Sequence, residues 1–201
     1  MSHIGSFGHS AILLPASLAL FALLLWLGRR SDALAFLAAL IVALVGTLIA
    51  KLAFHACEQG GLTFGVESPS GHVSFSTVFY GCLALALGAG RPPWQKVVLY
   101  AVSGLWVALI GVSRIVVEAH NLPDVVAGLI IGAISILTYR ALRGPPRPLA
   151  LSFRAIAFGA PAVAVLIAVI LYFARHWTPE PLIEAVALRL GLLLNVCAPL
   201  S

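Results

Sequence analysis

The stretch ALAFLAALIVALVGTLIAKLAF, residues 33–54, decides what kind of chain this is. It carries one charged side chain, Lys51, close to its end. A helix of that length spans about 33 Å, enough to cross the roughly 30 Å hydrocarbon core of a bilayer. The pattern repeats outward from there. Of 201 residues 61% are hydrophobic and 9% charged, and the mean hydropathy is +1.07. A soluble domain carries about 25% charged residues, so this chain cannot coat a water-facing surface.

Apolar runs at 10–27, 33–54, 70–87, 97–112, 123–139 and 156–173 read as six transmembrane helices. They predict an all-α membrane protein, a compact six-helix bundle forming one domain over 1–201. A shorter run at 182–194, interrupted by Glu184 and Arg189, reads as an interfacial helix. No Lys or Arg precedes Arg29, so the first run reads as a retained helix rather than a cleaved signal. Helix breaks fall at Arg91-Pro92-Pro93-Trp94 and between Arg143 and Pro148. The 55–69 connection holds Gly60, Gly61 and Gly65 and reads as irregular backbone.

Six crossings return both termini to one face. That face receives Lys51, Arg114, Arg175 and Arg189, while the other receives Arg29, Arg30, Arg91, Lys96, Arg140, Arg143, Arg147 and Arg154. The positive-inside rule assigns the second set to the cytoplasm. The expectation is a multi-pass protein of a bacterial inner membrane with its N-terminal face toward the periplasm or exterior. The net charge of +5 reflects this topology. No dense basic block and no aromatic-basic interleaving suggests a nucleic-acid partner. Cys57, Cys82 and Cys197 lack metal or redox spacing; Cys82 reads as packing, and Cys57 and Cys197 share the outer face, where a disulfide is conceivable. Gly128 and Gly132, and Gly104 and Gly111, read as close helix contacts.

The polar residues gather on the same outer face. Lys51 lies near the end of the second run, Ser70-Gly71-His72 opens the third, Ser113-Arg114 closes the fourth, and His120 and Asp124 bracket the start of the fifth. Taken singly, Lys51 is a snorkelling lysine, Arg114 an interface anchor and His72 a satisfied polar residue. Together at membrane depth they point to function. Lys51 and Arg114 supply charge for phosphate, and arginine grips its oxygens with two donors. Ser70 and Gly71 sit at a helix N-terminus, where unpaired amides bind anions; Ser70 could also cap the helix. Ser74 and Ser76 read as packing or back-bonding residues.

His120 and Asp124 are four apart, so the carboxylate can hold one ring nitrogen and leave the other to attack. Pro123 lies between them and suits only a first helical turn, so spacing alone does not guarantee their contact. Two histidines allow one to attack phosphorus while the other protonates the departing oxygen. His72, His120 and Asp124 could in principle hold zinc, but Lys51 and Arg114 oppose a cation there. Neither metal nor cofactor is expected.

Pro69-Ser70-Gly71-His72, then Ser113-Arg114, five residues, His120, three residues, Asp124, resemble the second and third motifs of the type 2 phosphatidic acid phosphatase (PAP2) family of membrane lipid phosphatases. The motif resemblance covers about 51–139. It implies a phosphohistidine at His120, oriented by Asp124, with His72 as general acid. It implies phosphate binding by Ser70, Gly71 and Arg114, and activity without metal. The family's first motif is Lys, six residues, Arg-Pro, but here Lys51 is followed by Glu58-Gln59. No Lys or Arg occurs between Lys51 and Arg91; His55, one turn beyond Lys51, is an auxiliary donor candidate. The implied substrates are polyprenyl diphosphate, phosphatidic acid, phosphatidylglycerol phosphate or a lipid A type phosphate. A lipid phosphotransferase using the same intermediate and a non-catalytic phospholipid-binding protein are the competing readings.

Overall fold

The structure, a computed structural model, describes residues 10–56, 66–146 and 148. Its regular elements there are helices: α1 Ser10–Trp26, α2 Arg30–Ala56, α3 Gly71–Gly88, α4 Pro93–Val116 and α5 Leu122–Leu142.

The six-span reading is corrected. Among the described residues five helices form, and four of them, α2 to α5, are long and apolar enough to cross a membrane. Over the described residues α1 runs for 17 and is the shorter apolar helix. It ends at Trp26 because the chain turns back at Gly28, whose φ of +71° favours glycine. The amides of Leu27, Gly28 and Arg29 close that end on the carbonyls of Leu23, Leu25 and Leu24. The runs at 156–173 and 182–194 lie outside the described residues, as do Cys57, Cys197, Arg175 and Arg189. Placing both termini on one face rested on six crossings.

Helix ends follow local chemistry. α4 starts at Pro93, four residues before the sequence reading, because proline at the first helical position loses no intrahelical bond. Gly90 (φ +74°) makes the α3–α4 turn and Gly144 (φ +70°) follows α5.

α3 lies at the centre and touches every other helix; α5 packs on α2 and α3, while α4 and α5 barely meet. α3 can be central because its inward positions are small or polar, among them Ser74, Ser76, Cys82, Ala84 and Ala86. The α3–α5 contact uses the Gly128/Gly132 pair. A Cβ at Gly128 would stand 2.6 Å from the Ser70 carbonyl, and one at Gly132 would stand 3.1 Å from the Ser74 carbonyl. Gly111 is also closely packed, 3.0 Å from Val125 by the same measure. Gly104 has nothing within 4 Å and is not a packing glycine. The apolar core joins Leu20, Leu24, Phe36, Ala39, Val78, Cys82 and Tyr139.

Candidate active site

At one end of the bundle α2 and α4 finish while α3 and α5 begin. This end holds Lys51, Ser70, Gly71, His72, Arg114, His120 and Asp124, so residues up to 73 positions apart share one level. Seven of the eight site residues read from the sequence therefore lie at this end of the bundle. His55 lies on the last turn of α2, and its side chain falls outside the described residues, as do Glu58 and Gln59.

The spacing of Ser113-Arg114 to His120 to Asp124 has a mechanical reading. After Val116 the chain folds back over the end of α4: Val117 N–H donates to Ser113, Glu118 N–H to Ile115, and Ala119 and His120 N–H both to the Arg114 carbonyl. Five intervening residues are what this return needs, and Glu118 takes a left-handed φ of 54° to complete it. His120 is thereby hung on the backbone of Arg114. Asn121 then caps α5. Its side chain accepts from Asp124 N–H at 2.9 Å, and Asp124 Oδ2 accepts from Asn121 N–H at 3.3 Å, a reciprocal capping box. Pro123 fits within this first turn.

Asp124 is 2% exposed and every bond to its carboxylate positions something. Oδ1 accepts from the amides of Glu67 and Ser68, each at 2.9 Å, and Oδ2 faces His120 Nδ1 at 3.3 Å. The Asp124 carbonyl accepts from Ser70 N–H at 3.1 Å. One residue thus buckles the loop ahead of α3 to the start of α5 and holds the imidazole. With a proton on Nδ1, His120 keeps a lone pair on Nε2. Burial is the largest influence on this ring and holds its pKa below the usual 6.5; Asp124 pulls the other way, and the charges of Lys51 and Arg114 lower it further. The ring is thus biased to the neutral, nucleophilic form.

Lys51 is buried, 4% exposed, and its ammonium donates to Ser68 Oγ at 3.3 Å. Ser70 occupies the N-cap of α3 but its hydroxyl makes no cap bond. It is fully buried, and among the described residues its Oγ has no hydrogen-bond partner. A Cβ at Gly71 would meet only Thr47, at an ordinary 3.8 Å. Helix packing therefore does not demand glycine there, whereas a ligand approaching the first amides of α3 would. Ser113 turns inward, donating to Ile110 at 2.6 Å. Ser74 joins Thr47 of α2 at 2.7 Å beneath the site.

Sequence reasoning passed over Asn121, Ser68 and Thr47. Asn121 had a legible signal, Asn-x-x-Asp ahead of an apolar run. Ser68 and Thr47 had none, because their partners lie 17 and 27 residues away.

The sequence profile of the PAP2 superfamily matches residues 52–148. Those residues form a PAP2-superfamily domain. The PAP2 domain contains both matching motifs, and Lys51 precedes it by one residue. It is a metal-independent, phosphatase-type hydrolase domain for phosphomonoesters or diphosphates, with substrates of the lipid-phosphate kind. This replaces the non-catalytic reading. A protein of Klebsiella pneumoniae described as an uncharacterized 22.5 kDa protein in cps region is 29% identical over 192 residues, covering 94% of this chain and 90% of the relative. No solved structure gives a significant match. With four long apolar helices, three of them within its PAP2 domain, and a bacterial relative, the chain is a bacterial multi-pass membrane protein.

Proposed function

We propose that this chain hydrolyses a phosphate from a membrane lipid through a covalent phosphohistidine at His120. The observation that carries the reading is the His120–Asp124 contact, set at the heads of α3 and α5 beside two cations. The Nε2 lone pair attacks phosphorus, and the P–O bond to the lipid breaks. The departing oxygen takes a proton from His72. Water then attacks the P–N bond, giving a proton back to His72, and phosphate leaves with His120 neutral again. Asp124 fixes the tautomer and stabilises the charged ring of the intermediate. Lys51, Arg114, Ser70 Oγ and the first amides of α3 bind the phosphate oxygens.

Two features support a lipid substrate acted on away from the cytoplasm. An apolar cavity of about 480 Å³ between α3, α4 and α5, lined by Leu85, Val107, Leu129 and Ile136 and reaching Tyr100 and Arg140 toward the opposite end, offers a lipid chain a path along the bundle. Among the described residues the site end carries Lys51 and Arg114, while the other end carries Arg29, Arg30, Arg91, Lys96, Arg140 and Arg143. Polyprenyl diphosphate, phosphatidic acid, phosphatidylglycerol phosphate and lipid A type phosphates all present the group this site binds.

Rapid quench with phosphate-labelled lipid tests the assignment. Label should appear on protein in the parent, be absent in His120→Ala, and persist in His72→Ala. The His72→Ala defect should be larger with a lipid alcohol leaving group than with an aryl phosphate, which needs little protonation. Normal labelling in His120→Ala would overturn the proposal.

A further inference from the structure

The opposite end of the bundle holds a second buried charged group that hydrolysis at His120 does not use. Asp32 lies nineteen residues before Lys51 on α2, about 28 Å along the helix. It is 2% exposed and receives two arginines and a tyrosine from two parts of the fold. Arg29, in the α1–α2 turn, donates from Nε and Nη2 to Asp32 Oδ2 at 3.1 and 3.0 Å. Tyr139 of α5 donates to Oδ1 at 2.9 Å. Arg143, at the end of α5, brings Nε to 3.4 Å from Oδ1, donates Nη1 to the Leu85 carbonyl at 3.2 Å and lies over the Tyr139 ring.

The group is short of anion. One carboxylate faces two guanidinium ions, leaving one net positive charge. Arg29 and Arg143 are each 6% exposed, yet Arg29 Nη1 and Arg143 Nε and Nη2 have no hydrogen-bond partner among the described residues. A buried cationic donor left unpaired is costly. Asp32 reaches only one of these donors, Arg143 Nε at 3.4 Å, while its oxygens accept three shorter bonds. The depth of the group indicates what can. Trp26 and Trp94 flank this end and are 71% and 66% exposed, as tryptophans at a membrane–water interface are. Arg30, Arg91 and Arg140 stand exposed around it. Phospholipid phosphates occupy that level, and paired arginines match their oxygens.

We propose that Arg29 and Arg143, held by Asp32 and Tyr139, form a second phosphate site that takes the phosphodiester headgroup of an anionic phospholipid in the leaflet opposite the active site. Binding draws the two guanidinium groups onto the headgroup and ties together the ends of α1, α3 and α5.

The test is photolabelling of the full chain in detergent with a phosphatidylglycerol bearing a photoreactive group near its headgroup, followed by peptide mapping. Label should appear in peptides containing Arg29 or Arg143 and fall about tenfold in Arg143→Gln, the loss of one charge-assisted contact. Arg143→Lys, which keeps the charge but not the fork, should lose part of the label. Turnover of a soluble aryl phosphate should stay unchanged in both variants, which also reports that they fold. Equal labelling of parent and Arg143→Gln at this end would overturn the site. Loss of the label to millimolar inorganic phosphate would overturn the lipid as its ligand. A dead His120 would leave this label untouched, so failure here and failure of the phosphohistidine reading are separate results.

Discussion

Each end of the bundle is organised around one buried carboxylate, and the two are used in opposite ways. Asp32 receives two guanidinium ions and a phenol, so its negative charge is consumed where it sits. Asp124 receives three backbone amides and an imidazole. Amides carry no net charge, so Asp124 holds the loop and the ring without neutralising a cation. The positive field of Lys51 and Arg114 remains directed at His120, whose pKa registers both. The lesson is that a buried carboxylate leaves the neighbouring cations' field on the reacting group when its bonds go to neutral donors, and anchors the cations themselves when they do not.

The sharpest way to break the comparison is Asp124→Asn. The amide oxygen can keep the Glu67 and Ser68 amides, and its NH₂ then faces His120 Nδ1. The imidazole must accept there and carry its proton on Nε2, the atom meant to attack. Turnover should fall by about 10³- to 10⁴-fold, with the protein still folded. Steady-state kinetics with a thermal melt checks this. A loss below tenfold would mean that the carboxylate does not set the tautomer. At the other end Asp32→Asn should do the reverse. Two buried guanidinium ions lose their counter-charge, at a cost of about 3–5 kcal/mol in stability, while turnover of the folded fraction on a soluble aryl phosphate holds.

Smaller changes sharpen the picture. Ser68→Ala removes the hydroxyl that receives the Lys51 ammonium. KM for a phosphate substrate should rise about threefold to tenfold, with a smaller change in kcat. The His120 ring should titrate below 6.5, since burial lowers its pKa most. As pH falls through that value the ring gains a proton, the attacking lone pair is lost, and phosphoenzyme formation falls. Lys51→Met removes one of the lowering charges and should move the titration upward, as read by histidine ring NMR; a downward move would contradict the arrangement. Glu118→Gly should have the least effect. It relieves a left-handed residue that is solvent-exposed, raising stability by about 1 kcal/mol, with turnover unchanged.

Much of this was legible in the chain itself. Apolar runs marked α2 to α5 because helical propensity and burial in lipid act on neighbouring residues. Ser113-Arg114, His120 and Asp124 lie within one turn-and-cap unit, so their spacing encodes their contacts almost locally. The count of crossings was not legible. The 10–27 run is apolar enough to suggest a span, whereas over the described residues its helix, closed by the left-handed turn at Gly28, is the shorter one. Only tertiary structure decided which groups meet across the bundle: Lys51 with Ser68, Asp124 with the amides before α3, and Tyr139 and Arg143 with Asp32. A carboxylate's sequence neighbours do not say whether an amide or a guanidinium will reach it. That depends on which helix ends pack side by side, and here the Gly128/Gly132 face, pressing α5 onto α3, sets that register.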